Sequence, residues 1–111
     1  MIEKIVIDYL EMVLEVPVFM ERPEKAPKKY VIVEKTGSSR ENFIKSATLA
    51  LKSHADSLLH AAELNEQVKE AMDSIVELDA VCRSELNSDY NFTDPTSKTY
   101  RYQAVYDLVH Y

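Results

Sequence analysis

The 111-residue chain contains one glycine, Gly37. A Walker loop, a dinucleotide-binding fingerprint and a nucleophile elbow each need several glycines close together, so none of them is present. There is one cysteine, Cys82, which excludes an internal disulfide and suggests a reducing compartment, or a product assembled in one. On its predicted strand Cys82 is expected to be a small core residue rather than a nucleophile. The three histidines stand at 54, 60 and 110, and the first two, six apart across a strand–helix junction, do not have zinc-ligand spacing. Paired acids such as Asp79 and Glu85 read as solvated strand and loop positions. The expectation is no catalytic set, no metal, no cofactor and no enzyme. Tryptophan is absent, and no apolar run is long enough to span a bilayer, so no membrane partner is expected. The opening stretch MIEKIVIDYLEM has acids inside its apolar run, unlike a signal peptide.

Cationic excess is lacking as well. The net charge is −6, a poor match for sequence-independent nucleic-acid binding. The charge is unevenly spread, at −3 over residues 1–20, +4 over 21–52 and −7 over 53–111. A basic middle in an acidic chain fits a dipolar surface for self-association, and fits equally a few solvated lysine loops.

The remainder is an ordinary globular mixture, 46% hydrophobic and 29% charged, of a length that suggests a single domain over 1–111. Ile2, Ile5, Val6, Tyr9, Leu10 and Val13 recur at helical spacing opposite Glu3, Lys4, Asp8 and Glu11, which predicts a helix over 2–14 ended by Pro17. VPVFM (16–20) and YVIVEKTG (30–37) are β-prone runs around an exposed proline loop, expected as a hairpin whose second strand stops at Gly37. After SSREN, residues 43–55 alternate as a strand with Ala47, Leu49 and Leu51 on one face and Ser46, Thr48 and Lys52 on the other. Asp56 or Ser57 can cap a following helix, with a stripe of Leu58, Ala61, Leu64, Val68, Ala71 and Ile75 and an acidic opposite face including Glu63, Glu66, Glu70 and Asp73. DAVCRSELN (79–87) is expected as a strand with Val81 and Ala80 facing in, and 88–99 as a polar loop. The final segment, YRYQAVYDLVHY, holds four of the seven tyrosines. It predicts a last strand with Tyr100, Tyr102, Ala104, Tyr106 and Leu108 on one face, packed under the helices. The order α-β-β-β-α-β-β predicts an α+β fold with a mostly antiparallel sheet of about five strands and two helices on one face.

Four segments in this order carry a family resemblance: VPVFMERPEKAPKKYVIVEKTGSSREN, ATLALKSHADSLLHAAELNEQVKEAM, YNFTDPTSKTYRYQ and YRYQAVYDLVHY. Together they resemble the small tail terminator, or tail-completion, proteins of long-tailed bacteriophages and prophages. The resemblance covers roughly residues 15–111 and rests on pattern and order rather than on a catalytic motif. It implies an α+β structural protein that forms a hexameric ring on the tail tube and presents a surface to the head connector protein. Its members can stay monomeric in solution before they meet the tube. DNA only passes through, with no specific nucleic-acid binding. The implied location is the head-proximal end of the virion tail, with the host cytoplasm as the place of assembly.

In that setting Arg22, Lys25, Lys28, Lys29, Lys35 and Arg40 are the candidate inter-subunit interface, since a ring needs one surface to complement a different one on the next copy. Glu63, Glu66, Glu70 and Asp73 are the candidate acidic lumen or interface face. Three alternatives stay open: a head-completion or connector protein, which is built to similar length, a monomeric binding module using the proline loop or a sheet edge, and a small enzyme with a pocket around Cys82 or a histidine.

Overall fold

The computed structural model describes residues 1–111. Helix α1 spans Ile2–Leu14. It ends where Glu15 takes a left-handed conformation, φ 58°, with Pro17 just beyond, a stop that frees the chain to turn into the sheet. Strand β1 (Val18–Phe19) follows, then β2 (Tyr30–Glu41), β3 (Ile44–Ala55), α2 (Leu58–Ser74) with a 3-10 turn at Ile75–Glu77, β4 (Val81–Asn91) and β5 (Tyr100–His110). This is the expected α+β fold, with one five-stranded sheet in the order β1-β2-β3-β5-β4. All pairings but the first are antiparallel.

Both helices lie on one face of the sheet. Ala47, Leu49 and Leu51 of β3 and Ala104, Tyr106 and Leu108 of β5 point into the core beneath them, as the alternation predicts. From above they meet Ile2, Val6, Tyr9 and Leu10 of α1 and Ala61, Leu64, Val68, Ala71 and Met72 of α2. The Ser57 hydroxyl caps α2 by accepting from the His60 backbone N–H at 3.1 Å, satisfying one of the donors that a helix start leaves free. Leu58, counted in the stripe, precedes the turns that face the sheet and is exposed.

The last strand is an interior one. Every residue of β5 from Tyr102 to Val109 has one partner on β3 and a second on β4. Edge strand β4 is held to α2 largely by polar ties. Asp89 accepts from Asn65 Nδ2 and Lys69 Nζ, each at 2.6 Å, and the Ser84 hydroxyl donates to the Met72 carbonyl at 2.8 Å.

Several expectations are corrected. β1 does not form a hairpin with β2. The ten-residue connection between them is long enough to bring the chain back in the same direction, so Val18 pairs with Val31 in parallel. β2 does not stop at Gly37. The ladder absorbs an irregularity between Lys35 and Gly37 and runs on to Glu41, where Asn42 and Phe43 turn the chain into β3. Residues 88–91, expected as loop, continue β4 against β5 because their backbone pairing outweighs their polar side chains. Cys82 is exposed rather than in the core, since the register shift between Val81 and Arg83 takes it out of the alternation. Ala80 lies outside β4 and is only half-buried. Glu3, placed on the wet side of α1, is buried and turned toward Lys35, whose Nζ lies 3.8 Å from its Oε2.

Tyr106 joins the sheet to α2. It is fully buried, and its hydroxyl donates toward the Lys69 carbonyl at 3.2 Å and Asp73 Oδ1 at 3.1 Å. Burial, then the Asp73 charge, pushes its ionisation well above the usual tyrosine range, so the proton stays on the oxygen. Tyr106→Phe is expected to cost about 1 kcal/mol for the lost hydrogen bonds. Tyr106→Ala should cost about 3–5 kcal/mol, a large part of the roughly 5–15 kcal/mol a small domain has. Urea melts of the two variants check this, and a Tyr106→Ala midpoint near that of the unaltered protein would contradict it.

Candidate functional site

The residues left over from the core gather at two opposite ends of the sheet. One end is a short arm, the tip of the β2–β3 hairpin. Beyond Val33 the last eight residues of β2 are exposed, but they stay paired to β3, which β5 backs as far as Lys45, so only Glu41–Ile44 projects past the rest of the sheet. The long strands make the molecule 45 × 25 × 25 Å. The turn at its tip needs positive φ at both central residues, normally met by Asn-Gly. Asn42, at φ 50°, suits that position; Phe43, at φ 73°, does not, because its Cβ crowds the carbonyl oxygen. The Phe43 ring packs against nothing in the core and is 81% exposed, with Ile44 beside it half exposed and the Arg40 guanidinium 5.9 Å from the ring centroid.

The other end holds the β1–β2 connection, the start of α2 and the β4–β5 loop. Here Arg22, Ala26, Pro27, Lys28, Lys98 and Tyr100 help line a cavity of about 270 Å³ that also reaches Tyr30, His54 and Asp56. The His54 ring stacks on Tyr30 with centroids 4.5 Å apart and planes at 11°. His54 is buried, and neither ring nitrogen has a hydrogen-bond partner. Burial first, then the charges of Arg101, Arg22 and Lys52, lowers its pKa to about 4, so it is neutral at physiological pH.

Ion pairing separates the body from these ends. Of the thirteen Lys and Arg side chains, Lys4, Lys35, Lys52, Lys69 and Arg83 have carboxylate partners within 4.0 Å. The other eight have none. Six of them, Arg22, Lys25, Lys28, Lys29, Lys98 and Arg101, belong to the cavity end, and two, Arg40 and Lys45, flank the arm tip.

The six basic residues picked from sequence therefore do not form one patch. Arg22, Lys25, Lys28 and Lys29 lie in the β1–β2 connection. Lys35 sits between the ends, paired with Glu3. Arg40 is ten residues along β2 from Tyr30, roughly 33 Å at strand rise. Glu63, Glu66, Glu70 and Asp73 do share the exposed side of α2. Two of them already serve the fold: Glu66 pairs with Lys69 at 2.8 Å and Asp73 receives the Tyr106 hydroxyl. Sequence reasoning passed over Phe43, Lys98 and Arg101, and weighed His54 only as a metal ligand or the histidine of an enzyme pocket. Asn42 between two β runs was a usable turn signal for the tip; no periodicity marks a cluster assembled from three separate segments.

The chain matches no protein-family model and no curated protein sequence.

His54 is faced by Tyr30 from β2, Arg22 from the connection, Lys52 from its own strand and Arg101 from β5. Because its folded pKa lies below its unfolded one, its stabilising contribution is complete above 6.5. That contribution is lost as pH falls from 6.5 toward about 4, where the unfolded chain takes up a proton that the folded one refuses. One such proton gives a slope of at most about 1.4 kcal/mol per pH unit. His54→Phe keeps the stack on Tyr30 and should flatten this slope in urea melts across the window. An unchanged slope would show that His54 is not its source.

Proposed function

We propose that the protein is a structural subunit that assembles with copies of itself. In keeping with the resemblance of its landmark segments, we read it as a tail-terminator-type protein that caps a phage tail tube as a ring and meets the head connector. Phe43 is the observation that carries the self-assembly reading. A turn position that glycine would fill without strain holds a large aromatic ring, presented to solvent at the end of an arm. Folding gains nothing from that choice. A ring closed by head-to-tail contacts does gain, because each copy must offer a projecting apolar group to a different surface of the next.

Arg40 and Lys45 beside the tip would steer it toward an acidic neighbour, and the exposed side of α2, with Glu63 and Glu70 free of ion pairs, is the most acidic face available. Acids that line a ring opening would also keep passing DNA from adhering. The proposed location is the head-proximal end of the tail, with tube protein and connector as the other partners.

Phe43→Gly tests this with fold and assembly read separately. The isolated variant should melt at or above the midpoint of the unaltered protein, by up to about 1–2 kcal/mol of relieved strain. It should fail to form rings in electron micrographs under conditions in which the unaltered protein forms them with a tail-tube protein. Rings that form normally would overturn the role of the arm. Rings that form but do not cap tubes would overturn the terminator role and leave self-assembly standing.

A further inference from the structure

We propose that the cavity at the end opposite the arm is a binding site for an oxyanion group, a phosphate or a carboxylate, held by Arg22, Lys28 and Lys98. The three cations come from two separate loops and line one cavity, and none has a carboxylate within ion-pair distance although the chain as a whole carries net charge −6. Lys98 is held there by a backbone at φ 53°, left-handed geometry that a lysine rarely adopts. Asp56 is the one acid in the lining, and its carboxylate is engaged 2.7 Å from His60 Nδ1. Arg101, outside the lining, adds a fourth nearby charge felt by His54; its Nε donates to the Phe92 carbonyl at 2.7 Å, and its charge also reaches Asp94.

Beneath this group of cations lies His54, buried and without a partner for either nitrogen. Burial away from water without a hydrogen-bond partner costs such a ring its desolvation. The nitrogens are covered, so a bound anion acts on His54 through its field rather than by a direct bond. It would offset the surrounding positive charge and make the imidazolium easier to form, so that binding raises the pH at which His54 takes up its proton.

The test is an NMR titration of the full chain near neutral pH with inorganic phosphate, and separately with glutarate, each exchanged against sodium chloride at constant ionic strength. Saturable shifts are expected at Arg22, Lys28, His54 and Lys98, and a separate acid titration of His54 with and without the saturating probe should show its pKa raised from about 4. The probe that saturates identifies the group as phosphate or carboxylate. The double variant Arg22→Ala, Lys28→Ala should weaken binding at least about tenfold, as loss of charge-assisted hydrogen bonds does. Asp56→Asn, which removes the one repelling charge, should strengthen it. Shifts of equal midpoint at Arg40 and Lys45 on the arm, no saturation with either probe, or unchanged binding in the double variant would each overturn the proposal.

Discussion

The fold depends on β5 having a hydrogen-bonded strand on each side. β3 and β4 each bring one open edge, and only the arrival of β5 between them joins the two parts of the chain into one sheet. Pairing on both sides satisfies its backbone, and its inward face, Ala104, Tyr106 and Leu108, supplies the floor on which α2 rests. Tyr106 then fixes helix to sheet with a hydroxyl that reaches the Lys69 carbonyl and Asp73. An aromatic residue suits this task because it carries apolar area to the core and a polar tip to the helix backbone.

β5 backs β3 as far as Lys45, so only the tip of the β2–β3 hairpin projects past the sheet. β2 alone is core at one end and exposed at the other. The transition comes just after Val33 on β2, where burial stops within one residue. The charges follow the same division. On the body, the cations have acid partners; at the arm tip and at the cavity end, cations stay unpaired. The two ends are separated by several times the roughly 8 Å over which physiological salt screens exposed charges, so they act independently.

Phe43 and His54 are two of the places where the chain departs from what its own folding prefers. One is a bulky residue at positive φ, the other a buried ring with two unmade hydrogen bonds. Departures of this kind tend to mark functional positions, because selection for stability alone would remove them. They stand at opposite ends of the molecule. This agrees with a protein that has one surface for its own copies and another for a different ligand.

Much of the architecture was already legible in the residues. The 3.6-residue recurrence of Ile2, Val6, Tyr9 and Leu10, the alternation of Ala47, Leu49 and Leu51, and that of Ala104, Tyr106 and Leu108 are local patterns, and each requires one buried face whatever surrounds it. Element order and fold class follow from them. Partner choice does not. That β1 runs parallel to β2, that residues 88–91 pair while looking like loop, and that Cys82 is turned outward all depend on register between segments far apart in sequence. The candidate sites show the same limit. The acidic side of α2 could be read from one helix, because a helix brings its own residues together. The cavity around His54 needed Arg22, Lys28 and Lys98 to be delivered by separate loops, and no pattern within any one segment records where the others will land.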